Sequence, residues 1–460
     1  MGVPLLYSQL ARKYKKERLV EKFRKAHFDN LFIDYNGLIH KVIGELTEVK
    51  PDKEIFKEIL DYTIKLTKMV NPAKRIILAV DGVAPRAKLN QQRMRRFKSA
   101  AASDDVTPVF DRNRVTPGTD FMDGLDVYLK DNVYKSFGKL EVVFSGVNER
   151  GEGEHKMMDY IRDNEELLRG DANVMNGLDA DLIMLTGSVD LEFKLLREER
   201  RGGFSIIDVN LLKSLLIKDM EEKTRHKLDT IRFMRDFIII SFFLGNDFLT
   251  SFPGLKIKKN GIGLLLGSYS MMFRNRVMKR GEYIVNQDKT INPVFLNEYI
   301  KLVWSSQKYW MDQAKVNSRL AKHEYYSENF RTTSLEFIDR VSKKYVEGIF
   351  WVGEYYLKGC QDFTWYYPFY FTPFSCDIKV YKSYTFEDKK EFTPEQQLVS
   401  VLPKKSLPEK FREKVDDIRI KFMFPESFKI DNSDEDCPEH ARAAFIPFVE
   451  PEILFKVMGV

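Results

Sequence analysis

RIILAVDGVAPRAKLNQQRMRRF, residues 75–97, is the stretch from which the rest of the chain can be read. Its apolar run, Arg75 to Val80, predicts a buried strand that delivers Asp81 to its end. A Gly/Pro turn follows, and Pro85 suits the first turn of the basic helix that comes next. On that helix Lys88, Gln92, Arg95 and Arg96 fall at i, i+4, i+7 and i+8, so they share one face. Such a face needs an anion. A strand-end carboxylate able to hold a metal thus stands in sequence beside a cationic, fork-shaped surface able to hold a phosphate. Taken alone, the stretch reads equally as an ordinary strand followed by a solvated basic helix.

A chain of 460 residues can bury a large core and form two or three domains. Its 43% hydrophobic and 31% charged residues are those of a globular protein, and 35 Phe and 21 Tyr supply core. The net charge of +6 leans toward a polyanionic partner, but 74 basic against 68 acidic residues is too close a balance to establish one. Local clustering has to do that. Three widely spaced cysteines, Cys360, Cys376 and Cys437, suggest neither a disulfide framework nor a cysteine zinc site, and a reducing compartment fits them. The segment MGVPLLYSQLARKYKKERLV is too weakly apolar for a signal peptide, and Gly2 is not read as a myristoylation signal. The most apolar run, Phe237 to Leu244, falls far short of the ~20 residues that span a bilayer. The expectation is a soluble, intracellular protein, cytoplasmic rather than nuclear and unattached to membranes.

Along the chain, an amphipathic first helix is followed by a short strand, Asn30 to Ile33, ending at Asp34, with Asn36, Gly37 and His40 on the turn and helix beyond. A helix near Ile55 to Val70 leads into the opening stretch. This order favours an α/β fold with a mostly parallel central sheet flanked by helices. Leu140 to Phe144 supplies another strand, before the turn GVNERGEGEH and a helix from His155 to Leu168. Asp179 and Asp181 precede an apolar run, Leu182 to Leu185, read as a strand; Phe204 to Ile207 is another. Met234 to Leu244 reads as a buried helix ending at Gly245-Asn246-Asp247. The turn Phe252-Pro253-Gly254 marks a domain boundary. Beyond it helices around Phe295 to Tyr309 and Thr333 to Lys358 lead to an aromatic run, Phe363 to Phe374, and a Pro-rich last part in which Asp431 to Asp436 forms a solvated loop.

Acidic residues recur where an α/β sheet exposes its ligand-binding edge: Asp34, Asp81, Glu152, Glu154, Asp179, Asp181 and Asp247. If they converge, each close pair costs roughly 4 kcal/mol at an effective dielectric of 20, which only cations relieve. Hard divalent ions suit an all-carboxylate set, and paired ions orient water on a phosphodiester without a Ser, Cys or His nucleophile. Any one of these acids alone reads as a helix cap or surface charge. The i, i+2 pairs Glu152-Gly-Glu154 and Asp179-Ala-Asp181 can aim at one point only if the backbone bends, which Gly151 and Gly153 permit. His155 reads as an outer group of such a site or as a surface helix start. His40 could stack on a base or be a partly buried helix residue. In the run Trp351 to Phe374, Trp351, Trp365, Tyr366, Tyr367 and Tyr370 offer stacking faces, although composition alone makes the run mostly core.

Taken together these residues resemble the XRN family of 5′→3′ exoribonucleases. The match lies in MGVP, DNLFIDYNGLIH, AVDGVAPRAKLNQQRMRRF, TPGTDFM, FSG followed by GEGEHKMMDYIR, GLDADLIML, LLREE, FFLGNDFL and GCQDFTWYYPFYFTPF, in the family's order. A weaker trace persists in AFIPFVEPEIL. The resemblance implies a PIN/5′-nuclease-like core over residues 1–255 and a second, largely helical region over 256–460 that packs on it and completes the pocket. It implies that Asp34, Asp81, Glu152, Glu154, Asp179, Asp181 and Asp247 hold Mg²⁺ or Mn²⁺. Lys88, Gln92, Arg95 and Arg96 would bind a 5′-monophosphate. His40 would stack on the terminal bases, with Trp365 as its aromatic counterpart. The implied reaction is processive hydrolysis of 5′-monophosphorylated single-stranded RNA to nucleoside 5′-monophosphates by a monomer, in RNA decay. A pocket of this size would exclude a triphosphate or cap. The segment Met1 to Tyr7, with Gly2 and Pro4, would pack near the site.

The chain departs from the family pattern in lacking the long C-terminal extension of large cytoplasmic members, in the compactness of Gly254 to Trp351, and in CPEHARAAFIPF. Two other readings stand beside the nuclease. One is a structure-selective 5′ nuclease acting on DNA flaps, which the QQRMRRF and WYYPF segments disfavour. The other is an RNA 5′-end-binding protein without catalysis, which gains nothing from so many acids beside RNA.

Overall fold

The computed structural model describes residues 3, 5–101, 109–199, 202–431 and 442–460. Helix α1 (Leu6–Lys13) and a short strand β1 (Val20–Lys22) precede β2 (Asn30–Asp34), α2 (Tyr35–Gly44), α3 (Asp52–Val70), β3 (Arg75–Ala79) and α4 (Arg86–Ala101). The α/β part continues with α5 (Asp120–Ser136), β4 (Glu141–Ser145), α6 (Gly153–Asp163), α7 (Glu165–Leu168), β5 (Asn173–Asn176), α8 (Asp181–Gly187), β6 (Phe193–Glu198) and β7 (Phe204–Asp208). Helices follow: α9 (Val209–Thr224), α10 (Thr230–Ser241), α11 (Gly261–Arg274), α12 (Pro293–Gln313), α13 (Ser318–Phe330) and α14 (Leu335–Leu357). The chain closes with α15 (Pro394–Val401), α16 (Glu409–Arg412) and α17 (Pro451–Met458). Among the described residues no helix is long and apolar enough to cross a membrane. Gly2, Pro4 and most of the acidic loop expected at Asp431 to Asp436 lie outside the described residues.

The sheet has seven strands in the order β1-β7-β6-β5-β2-β3-β4. Strands β4, β3, β2, β5 and β6 run parallel, while β7 pairs antiparallel with β6 and β1. This is the mostly parallel α/β sheet that the sequence predicts. After the edge strand β1, the parallel part starts in the middle at β2, fills one side with β3 and β4, then returns to the other side with β5. A crevice opens at such a reversal, outside the carboxyl ends of the strands.

Both faces of the sheet are covered, so its central strands carry apolar residues at successive positions. Leu31 and Ile33 face the cluster formed with α2, α3 and α5, whereas Phe32, Ile77 and Met175 face the larger cluster. That larger cluster runs without interruption from the sheet through α8, α10, α11, α12 and α14. A third core joins Leu89 and Phe97 of α4 to α15, α16 and α17. Helix α4 is therefore held on one flank by the C-terminal region.

One expected strand is a helix. Leu182 to Leu185 belong to α8, every residue of which is buried. A short apolar run has no period that separates a buried strand from a buried helical turn. The strand in this part of the sheet is instead β5, and β6 pairs beside it. Strands β3 and β4 are tied together at their carboxyl ends by Lys156 of α6, which is 9% exposed. Its ammonium donates to the carbonyl oxygens of Val80 (2.8 Å) and Gly146 (2.6 Å). Burial lowers its pKa to about 8. Replacing it with methionine, Lys156→Met, leaves both carbonyls without this donor and should lower stability by about 1–3 kcal/mol. Chemical denaturation followed by circular dichroism measures this, and an unshifted midpoint would show that the clamp contributes nothing.

Candidate metal and phosphate site

The acidic residues are placed by the ends of four adjacent parallel strands and one helix. Asp34 ends β2, Asp81 follows β3, Glu152 and Glu154 open α6 after β4, and Asp179 and Asp181 follow β5. Asp247 comes from the turn after α10. There Gly245 adopts φ 88°, and the Asn246 carbonyl oxygen Oδ1 accepts from the backbone N–H groups of Phe248 (2.9 Å) and Leu249 (2.8 Å). Asp34 and Glu152 occupy N-cap positions of α2 and α6, yet neither side chain makes a capping hydrogen bond. The cap reading of these two acids therefore fails. Gly151 has φ 98°, and a Cβ at Gly153 would lie 2.6 Å from the Ala79 carbonyl oxygen. Only glycine lets the Glu152–Glu154 turn fold onto the end of β3.

The carboxylates meet. Asp81 accepts from the Gly153 N–H (2.6 Å) and from the Asn36 side-chain amide (2.7 Å), while Asn36 Oδ1 accepts from the Asp81 N–H (3.0 Å). Glu152 accepts from the Tyr355 hydroxyl at 2.6 Å. Burial together with the neighbouring Asp81 and Asp179 charges pushes Asp34 well above the usual carboxylate range. Burial and Glu152 push Asp81 up to about 6, and burial and Asp247 push Asp181 up to about 6. Burial and Asp181 hold Glu154 well up as well. Each acid thus feels another, and all of them form one electrostatic group. Among the described residues Glu152, Glu154 and His155 bring ligand atoms within 4.8 Å of one another.

The basic residues divide. Lys88 was expected in the phosphate clamp, but it is 6% exposed and enters the acidic group instead. Its Nζ lies 2.6 Å from Glu152 Oε1 and 2.7 Å from Asp247 Oδ2. Against the cost of burial, these carboxylates hold its pKa well above the usual lysine value, and Lys88 draws Asp247 below the ordinary carboxylate range although burial opposes this. The reason is distance along the helix, since a rise of about 1.5 Å per residue sets Lys88 about two turns below Arg95. Gln92, Arg95 and Arg96 instead line a cleft of about 470 Å³ together with Asp34, Asp81, Asp179 and His40. The lining thus combines carboxylates with guanidinium groups. Arg96 is fixed by bonds to Asn113 Oδ1 (3.0 Å) and the Val115 carbonyl (3.2 Å). His40 has surface open to solvent but sits in this concave cleft. Desolvation there, with Arg95, Arg96 and Arg112 nearby, lowers its pKa to about 4, so the imidazole is neutral at pH 7.

Trp365 is not at the cleft. It is 6% exposed, stacked on Trp351 at 4.8 Å, and its Nε1–H donates to Glu347 Oε1 at 3.0 Å. Trp351 stacks in turn on Tyr355 (5.1 Å), and Tyr355 on His155 (3.6 Å). These rings form an internal column that ends at the acids, and Trp365 presents no face to a base. His155 is accordingly buried, and not a surface helix start. Four contributors escaped the sequence reading. Asn36, in the first turn of α2, and Arg112, in a single 3-10 turn, carry no pattern that assigns them to a site. Tyr355 and Tyr356 come from α14, where they read as ordinary aromatic core. Burial and the charges of Asp181 and Asp247 raise the Tyr356 phenol strongly.

The chain is similar to known proteins. The family described as "XRN 5'-3' exonuclease N-terminus" matches residues 1–199, and "Xrn1 helical domain" matches 227–308 and 296–459. The human 5'-3' exoribonuclease 1 is 29% identical over an alignment covering 100% of this chain and 34% of that protein. Its Saccharomyces cerevisiae counterpart is 25% identical, with 100% of this chain and 43% of that protein covered. The chain thus spans between a third and a half of the length of these relatives. Among solved structures, the catalytic core of Rad2 in complex with DNA substrate aligns with 66% of this chain and 81% of that chain, at 14% identity and a TM-score of 0.36.

The raised pKa of Asp181 carries a sign that can be tested. Because its folded value, about 6, exceeds the ordinary 3.8, the folded state holds the extra proton, and stability falls as pH rises between the two. Asp181→Asn lacks this penalty. In EDTA at pH 7 the variant should be more stable than the parent by roughly 1–3 kcal/mol, with the difference vanishing below about pH 4. Thermal unfolding across that range gives the answer, and a less stable variant at pH 7 would refute the repulsion.

Proposed function

Because this chain belongs to the XRN family of 5′→3′ exonucleases, we propose that it is a processive 5′→3′ exoribonuclease acting in RNA decay. Its substrate is single-stranded RNA bearing a 5′-monophosphate, and its products are nucleoside 5′-monophosphates. The observation that carries this reading is a single cleft lined by Asp34, Asp81 and Asp179 together with Gln92, Arg95 and Arg96.

The donor set fits divalent cations. It is built of carboxylate oxygens, and the buried Glu154 Oε2 has no hydrogen-bond partner among the described residues. Asp34, Asp81, Glu152, Glu154, Asp179, Asp181 and Asp247 would hold the ions, Mg²⁺ or Mn²⁺. Bound there, such ions supply Lewis acidity that activates water and stabilises the leaving oxygen. The protein does the rest by positioning. Arg95 and Arg96 present guanidinium forks to the terminal phosphate, and Gln92 adds an amide. Lys88, between Glu152 and Asp247, offsets part of the negative charge where the phosphodiester approaches. Neutral His40 offers a flat face to the terminal base without repelling the neighbouring cations. Tyr355 fixes the Glu152 carboxylate from the helical region, so residues 256–460 support the site that residues 1–255 build.

Purified protein with Mg²⁺ on end-labelled RNA carrying a 5′-monophosphate, 5′-triphosphate or 5′-hydroxyl, beside matched DNA, tests the reading. Fast hydrolysis is expected for the monophosphate RNA alone, and equal rates on all four would exclude it. Arg96→Ala should narrow the gap between 5′-phosphate and 5′-hydroxyl RNA by at least about tenfold, the value of one charge-assisted contact. Tyr355→Phe removes the hydroxyl that holds Glu152, so the Mn²⁺ concentration giving half-maximal thermal stabilisation should rise by about tenfold. An unchanged Mn²⁺ titration would mean that Glu152 needs no anchor.

A further inference from the structure

A second cavity, of about 300 Å³, lies against a neighbouring face of α4. Gln91, Met94 and Lys98 line it from the helix, and aromatic rings form its wall. Among these Tyr370 and Phe448 stack at 4.8 Å with 24° between their planes. Asp247 and Arg95 reach its edge, and Arg95 also lines the acidic cleft, so the two cavities share a border. Gln91 is 6% exposed, and neither its Oε1 nor its Nε2 has a hydrogen-bond partner among the described residues. Its neighbour Arg93 is also buried, and its Nη1 and Nη2 groups donate to the carbonyls of Ser400 and Met423.

A buried primary amide is unfavourable unless something pairs with it. Gln91 offers a donor and an acceptor in one plane. An adenine edge, with the N7 acceptor beside the N6 donor, matches both at once. Flat aromatic walls receive a flat π-system, and Arg95 at the edge suits a phosphate. We propose that this cavity is a second nucleotide site, which takes an adenine base joined to a 5′-phosphate through Gln91. It rests on the nuclease reading only in that such nucleotides are the expected products. The base has two sources, a released mononucleotide or an adenosine within the threaded strand.

Calorimetric titration of AMP in Mg²⁺ into the full chain, its Gln91→Leu variant and its Arg96→Ala variant tests the site. Gln91→Leu should weaken AMP binding about tenfold or more, whereas Arg96→Ala should retain it. With the unaltered protein, the AMP analogue that carries carbon in place of N7 should bind about tenfold more weakly, which needs no variant to fold. Loss of AMP inhibition in Gln91→Leu with unchanged initial rates identifies the released nucleotide as the source. Slower hydrolysis of oligo(A), but not of oligo(U), identifies the strand. AMP binding that ignores both Gln91→Leu and the N7 substitution overturns the site, as does an absence of binding at millimolar AMP. If hydrolysis of 5′-monophosphorylated RNA persists in either of those cases, the nuclease reading survives without this inference. A protein that binds AMP through Gln91 yet never cleaves RNA would do the reverse.

Discussion

Like charge held at close range is the constraint on which this structure depends. Four parallel strands and the turn after α10 bring carboxylates to one place, and burial removes much of the water that would screen them. At an effective dielectric of 20, each pair at 4 Å costs about 4 kcal/mol. The protein answers in two ways. Protons are held more tightly, as the raised values of Asp81 and Asp181 show, and one buried ammonium, Lys88, is inserted between Glu152 and Asp247. A single lysine cannot neutralise the whole group. The remaining deficit favours cations, and on the proposed reading the carboxylate oxygens would suit hard divalent ones.

Holding such a group together requires support from outside the sheet. The column Trp365, Trp351, Tyr355 and His155 runs from the loop after α14 to the acids, and its Tyr355 hydroxyl ends on Glu152. The core that surrounds the column is continuous with the underside of the sheet. On the other flank, α15, α16 and α17 pack against α4 and fix the helix that carries Lys88, Gln92, Arg95 and Arg96. Site geometry is thus set by residues more than a hundred positions away in sequence. Packing in the helical region and charge at the strand ends are parts of one balance.

Much of this was legible in the chain. The strands near Asn30, Arg75, Leu140 and Phe204 announce themselves as apolar runs bounded by turn residues, and acids at their ends are visible because strand ends are. Leu182 to Leu185 misled because α8 is buried on all sides and shows no periodicity. Strand β6, FKLLRE, was hidden by its charged positions. The shared face of α4 was readable, but a helical face says nothing of depth, so Lys88 among the acids was not. Arg112 comes from a loop whose path only tertiary structure sets. Trp365 shows the same limit for aromatics, since composition gives rings in number but not which ring covers which.

The whole-chain charge illustrates how little a sum reveals about a site. A net charge of +6 over 460 residues describes a mildly basic surface, whereas the cleft holds strong fields of both signs within about 470 Å³. Long-range attraction to a polyanion is screened beyond about 10 Å at ordinary ionic strength, but desolvated contacts in a cleft are screened far less. On the proposed reading, discrimination therefore belongs to the RNA end and not to the strand as a whole. The neutral His40 fits this division. Placed among Arg95, Arg96 and Arg112, a charged imidazole would add to their repulsion, and their proximity together with desolvation removes its proton. What remains at that position is a flat, uncharged surface beside a phosphate-sized cationic wall, which is the combination that a stacked nucleotide with a terminal phosphate requires.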